Sequence, residues 1–182
     1  MLRLRAYQSS DAERIAAWLE DERQLFLWSA GRMQWPLTRE QFQNFAAEQL
    51  QQPRTMLITA IDEFNEPVGF LCMTRADYQQ KRIHFCFIVV TNQSRGKGYG
   101  TQMLQQAIGY AVDLLQMERI TLRVFAENTA ARKCYQKLGF VDEACHPAAL
   151  QWQGRDWAAY DMVWLKENSS YRIDSQGTDV PQ

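Results

Sequence analysis

Histidine is nearly missing: His84 and His146 are the only two in 182 residues, which leaves little to build a zinc site from. The four cysteines, Cys72, Cys86, Cys134 and Cys145, include no C-x-x-C pair. Cys72 and Cys86 fall inside apolar, strand-like runs, so the set reads as reduced, mostly buried thiols rather than a disulfide frame or metal cluster. A surplus of either charge is lacking too. The 20 Lys and Arg against 21 Asp and Glu leave a formal net charge of −1, too little for a global field that gathers nucleic acid or an anionic membrane. No apolar run approaches the length of a membrane span, and charges break every apolar stretch of "MLRLRAYQSSDAERIAAWLEDE", so no signal peptide is read there. The expectation is a cytoplasmic protein without metal, nucleic-acid partner or membrane partner.

What remains is a soluble-protein composition, 46% hydrophobic and 23% charged, in a chain the size of one ordinary domain. A single domain is expected over residues 1–166. The polar stretch "ENSSYRIDSQGTDVPQ", residues 167–182, is expected to be a tail or an arm held by a partner.

The pattern along the chain alternates between the two periods. "LRLRAY" reads as a strand and "SSDAERIAAWLEDE" as a helix with Ile15, Trp18 and Leu19 at helical spacing. Residues 23–37, rich in aromatics, show no clean period and read as a loop. The following helix begins with a capping box at Thr38 and Gln41 and carries Phe42, Phe45 and Ala46 on one face. "TMLITAID", "PVGFLCMTR" and "RIHFCFIVV" read as an antiparallel meander. From Gly98 a helical period returns through Met103, Leu104, Ala107, Ile108, Ala111, Val112 and Leu115, and "RITLRVFA" follows as a parallel strand. A short helix ends at Gly139. "GFVDEACH" and "WAAYDMVWLK" read as two last strands around a loop "PAALQWQGRD". The fold class expected is α+β: a mixed, mostly antiparallel twisted sheet of about six to seven strands flanked by about four helices.

Between the longest apolar strand and the longest helix stands "SRGKGYGT", with Gly96, Gly98 and Gly100 at alternate positions. Small residues let the free amides at a helix start approach an anion, so the segment is a candidate phosphate cradle, a plain tight turn being the alternative. A P-loop is excluded because Gly96-Lys97 is followed by Gly98 rather than Ser or Thr. The G-x-G-x-G spacing after a meander does not match the dinucleotide fingerprint.

Arg95-Gly96-Lys97-Gly98-Tyr99-Gly100 does resemble the Q/R-x-x-G-x-G/A signature of the GNAT superfamily of acetyl-CoA-dependent N-acetyltransferases. "NTAARKCYQKLGF", residues 128–140, is similar to that family's N-x-x-A-x-x-x-Y-x-K-x-G-F block. The ending "WQGRDWAAYDMVWL" resembles the subgroup that includes ribosomal-protein N-acetyltransferases.

The resemblance implies acetyl-CoA as cosubstrate and a primary amine, on a small molecule or a peptide, as acceptor. It implies that the amides from Gly96 through Lys97, Gly98, Tyr99 and Gly100 to Thr101, with the side chains of Arg95 and Lys97, hold the pyrophosphate. It places the pantetheine arm along Ile88, Val89 and Val90 and against Asn128, with Tyr135 as the acid that protonates the departing thiolate; a tyrosine that only covers core is the competing reading. An amine with a pKa of about 10.4 must lose a proton to attack. Counting back from the glycine loop puts His84 where histone-type relatives carry a glutamate base, although a lone strand histidine is more often structural. Arg123 stands where other relatives place a fifth-strand glutamate, and Glu20, Asp21 and Glu22 are rival bases. Trp28, Trp35, Trp152 and Trp157 are available to the acceptor or to the core. A non-catalytic acyl-CoA-binding or regulatory module is the competing function. Oligomeric state is left open, with a homodimer as one arrangement.

Overall fold

Seven strands form one sheet in the order β1-β2-β3-β4-β5-β7-β6 in the computed structural model, which describes residues 2–94 and 96–168. Arg95 and residues 169–182 lie outside the described residues, and with them one expected phosphate contact and nearly all of the expected tail. The elements in chain order are β1 Arg3–Ala6, α1 Ala12–Ala17, α2 Glu22–Ser29, α3 Arg39–Gln51, β2 Met56–Ile61, β3 Pro67–Asp77, β4 Arg82–Val90, α4 Tyr99–Gly109, β5 Arg119–Phe125, α5 Thr129–Lys137, β6 Val141–Trp152 and β7 Arg155–Leu165. All strand pairs are antiparallel except β4 with β5, the mixed α+β sheet that the sequence pattern predicts.

β3 is buried almost end to end because helices cover both faces of the sheet. Strand alternation sorts its side chains between two cores. Leu71 and Met73 join Ile83, Phe85, Met103, Leu104, Ile120, Leu122 and Trp164 under α4 and α5. Phe70 and Cys72 join Ile15, Leu25, Phe42 and Phe45 under α1, α2 and α3.

Two loop expectations are corrected. Within residues 23–37, the stretch through Ser29 is the helix α2, started by Asp21, whose carboxylate accepts the Gln24 N–H at 2.7 Å. It is ended by Ala30 in the left-handed region at φ 52°. Leu25, Phe26 and Ser29 are its buried face, a stripe too short to show as a period. This helix brings the α-helices to five among the described residues. The expected loop at 147–152 is strand: β6 runs through Pro147 to Trp152, and the turn shrinks to Gln153 (φ 50°) and Gly154 (φ 71°). Two left-handed residues in succession make the tight hairpin turn that matches strand twist. Pro147 is tolerated because β6 is an edge strand and its register shifts between His146 and Leu150.

Two irregularities in the central strands position the site. On β4, Phe70 pairs with Val89 but Cys72 pairs with Cys86, so Phe87 and Ile88 together oppose Leu71, a bulge with Phe87 at φ 51°. The extra residue swaps the parity of the strand. Ile83 and Phe85 face α4 before it, Ile88 and Val90 do so after it, and Phe87 and Val89 turn toward α1–α3. Then β4 and β5 part company. They pair only from Arg82–Arg119 to His84–Thr121, while β5 stays paired with β7 along its whole length. From Phe85 to Val90, β4 has no strand neighbour on that side among the described residues.

Candidate active site

The glycine loop lies on the α4 side of this opening. Gly96 (φ 74°) and Gly98 (φ 80°) are both left-handed, and a β-carbon on Gly96 would meet nothing within 4 Å. α4 starts on Gly98 with no side chain among the described residues capping its first amides, which leaves those donors at the positive end of the helix for a ligand. Just after β4, both amide atoms of Asn92 are buried without a partner among the described residues, an unmet polar demand that a ligand on this loop can answer. Lys97 is exposed, and Tyr99, Gly100 and Thr101 are half-buried. The Thr101 hydroxyl lies 3.4 Å from the Cys134 thiol, which ties α4 to α5. Ile88 and Val90 face this same side. Val89 does not, so it offers only backbone here.

Asn128 and Tyr135 sit on α5. Asn128 caps the helix, its Oδ1 accepting the Ala131 N–H at 3.3 Å, which leaves its NH₂ donors for other work. Tyr135 is buried in the core beside Phe140, ring centroids 6.0 Å apart. Burial pushes its phenol far above the usual tyrosine range, so it stays protonated and is a donor at every physiological pH. Uncapped amides, left-handed glycines and a free strand edge on one face of a strand gap, with a protonated phenol in the core on that same side of the sheet, fit a pantetheine-pyrophosphate such as acetyl-CoA.

On the opposite face the parted strands open into a cleft of about 1020 Å³. Leu27 and Trp28 of α2 and Ala149 and Leu150 of β6 line it, with Thr74, Arg75, His84, Cys86, Phe87, Thr121, Arg123 and Asp161 from the central strands. His84 is the last residue of β4 paired to β5, and its Nδ1 lies 2.9 Å from the Thr121 hydroxyl. Burial and then the Arg75 charge hold its imidazole down to about 4, against a smaller upward pull from Asp161. It is therefore neutral at pH 7. Trp28 lines the cleft, whereas Trp157 is core and meets Phe26, Phe125 and Trp152 edge to face. Trp35 is exposed and is not part of the cleft lining.

Of the rival bases, Asp21 is spent on capping α2, and neither Glu20 nor Glu22 lines the cleft. Sequence reasoning missed the two acids that do, Glu143 and Asp161. Asp161 on β7 is the direct partner of Arg123, binding its Nε and Nη2 at 2.5 and 2.9 Å and His146 Nε2 at 2.8 Å. The Arg123 bond, with help from His146, holds its carboxyl down to about 2. The available signal was one acid inside the apolar run "AAYDMVWL".

A protein-family model described as an acetyltransferase (GNAT) domain matches residues 1–141. A spermidine N(1)-acetyltransferase of Vibrio cholerae serotype O1 is 28% identical over 76 residues, a match spanning 42% of this chain and 43% of that protein. Among solved structures, the chain is similar to the spermidine N-acetyltransferase from Vibrio cholerae in complex with CoA and spermine, with TM-score 0.78 and 21% identity over 92% of this chain and 96% of the other. It is also similar to a chimera of that enzyme with hSSAT, with TM-score 0.76 and 20% identity over 91% and 96%. At those identities the structural likeness speaks for the fold, and the family match spans most of the sequence: the chain belongs to the GNAT acetyltransferase domain family.

Proposed function

We propose that this chain transfers an acetyl group from acetyl-CoA to a primary amine by direct attack in a ternary complex. The observation that carries this reading is the parting of β4 from β5 after His84, because it joins an anion seat on one face of the sheet to a separate cleft on the other. When bound, acetyl-CoA supplies a thioester carbon open to attack by a neutral amine.

The chain's own residues hold the two partners and move the protons. The amides of Gly96 to Thr101, with Lys97 and Arg95, bind phosphate; Ile88, Val89 and Val90 offer backbone groups along the free edge; and Asn128 adds its amide donors. Tyr135 donates its proton to the leaving sulfur. His84, neutral and fixed through Thr121, takes the proton that the amine gives up as the new bond forms. The two residues come from opposite faces of the sheet, as a transfer through the gap requires. The named relatives act on spermidine, which supports an aliphatic amine as the acceptor class. A protein that merely bound acyl-CoA would have no use for an imidazole and an open cleft on the far side of the gap.

The test is release of free thiol from acetyl-CoA in the presence of a panel of primary amines. Amine-dependent release with a mass shift of one acetyl group on the acceptor is expected. CoA binding without transfer to any amine would make the chain a binding module.

A further inference from the structure

Resting on the acetyltransferase reading, we infer that the acceptor amine carries an anionic group, a carboxylate or a phosphate, which docks on Arg75 and Arg32 while the amine faces the gap between β4 and β5. Among the described residues, no carboxylate lining the cleft is without a cationic partner. Its lining holds two acids, Glu143 and Asp161, and three arginines, Arg32, Arg75 and Arg123. Both acids are already engaged. Asp161 holds Arg123 with both oxygens and also holds His146, and Glu143 pairs with Arg119. A polyamine brings two or more additional cations, each of which loses water on entering and needs an anionic partner in return.

The arginines give the opposite picture. Among the described residues neither Arg32 nor Arg75 has a carboxylate partner. Arg32 lies over the Phe87 ring, 5.7 Å from its centroid. Arg75 follows Thr74, the direct partner of His84, so its cation stands next to the imidazole and helps hold it neutral.

Both positions are built by departures from regular strand. Thr74 and Arg75 are consecutive yet both line the cleft, which the alternation of a flat strand forbids. The cause is the left-handed φ of 55° at Arg75, where the β3–β4 register shifts between Thr74 and Asp77. The bulge on β4 does the same for Cys86 and Phe87, and so places the ring on which Arg32 rests. Two irregularities, one on each strand, converge to keep two guanidinium groups in the acceptor cleft. A planar guanidinium is the side chain best matched to a carboxylate or phosphate.

The test compares kcat/KM for matched amines with acetyl-CoA: dipeptides against their C-terminal amides, phosphoethanolamine against ethanolamine, and spermidine alongside. An anion bound by a charged donor is expected to favour the anionic member of at least one pair by about tenfold or more, and the pair that responds identifies the anion. Arg75→Gln should bring that ratio toward one, with Arg75→Lys retaining part of it. Spermidine as the best acceptor, or a ratio that Arg75→Gln leaves intact, overturns the inference while leaving acetyl transfer standing. If no amine is acetylated, the acetyltransferase reading fails and calorimetry decides the charge question. N-acetyl dipeptide binding CoA-saturated protein more tightly than N-acetylspermidine upholds an anion-selective cleft, and any other ranking, or no binding, overturns it.

Discussion

Titrating the two imidazoles by NMR isolates His84 with unusual economy, because His84→Gln deletes one of only two ring signals and so assigns both. The expected midpoint is about 4, against an ordinary 6.5. At about 1.36 kcal/mol per pKa unit, the shift of about 2.5 units corresponds to about 3 kcal/mol, trimmed toward about 2 because the ring is open to the cleft. The sign follows from which state binds the proton. Above pH 6.5 neither the folded nor the unfolded chain protonates His84, so it contributes nothing to the pH dependence. Between pH 6.5 and 4 the unfolded chain takes the proton and the folded one does not, so stability falls as the pH drops, and below 4 the loss levels off. Urea melts at pH 7.5 and pH 5 should therefore differ by about 1–2 kcal/mol more in the parent protein than in His84→Gln. The charges around the ring fix two further signs: Arg75→Gln should raise the midpoint and Asp161→Asn should lower it. A midpoint of 6 or above in the unliganded protein, or identical pH slopes for parent and variant, refutes the reasoning. The consequence for catalysis is that a proton resting on His84 at pH 7 costs about 4 kcal/mol. His84 can then hold the amine proton only in passing, and the acidic limb of kcat/KM belongs to the acceptor's own ammonium rather than to an imidazole near 6.5.

CoA should raise the melting temperature in proportion to RT ln(1 + [L]/Kd), and Gly98→Val should remove that shift. The nearest atom to a β-carbon there is Gln102 Nε2 at 4.0 Å, so the unliganded variant should lose only about 1–2 kcal/mol for the left-handed φ; normal CoA binding would make the loop a plain turn. Tyr135→Phe should lower kcat by about 10²-fold with the CoA-induced shift intact, and a loss under about threefold would hand the proton donation to solvent. Asp11→Ala should destabilise by about 3 kcal/mol in urea, since its buried carboxylate holds both Arg5 nitrogens at 2.7 Å, the Gln8 N–H at 3.0 Å and the Thr59 hydroxyl at 2.9 Å. A cost under about 1 kcal/mol would mean that the network is worth no more than a surface ion pair.

The sequence by itself determined the features that repeat over a few residues. Alternation marked the three-strand meander, the helical period marked α3 and α4, and the glycine spacing and the block from Asn128 to Phe140 identified the family and the phosphate-seat candidate. These are local properties, since a strand face, a helix stripe and a left-handed glycine are each set by neighbours in the chain. Short elements escaped for the converse reason: α2 and the end of β6 take their shape from a single cap, a two-residue turn and an aromatic cluster that is assembled from distant segments. Only the tertiary structure decided the cleft. His84 was found by counting along one strand, but its low basicity comes from burial and from Arg75 on the adjacent strand. Asp161 meets Arg123 across 38 residues of chain, and Arg75 enters the cleft through a twist at one φ angle. Charge pairing depends on which side chains are brought within a few ångströms of each other and removed from water, and the register of strands, not the order of residues, sets that.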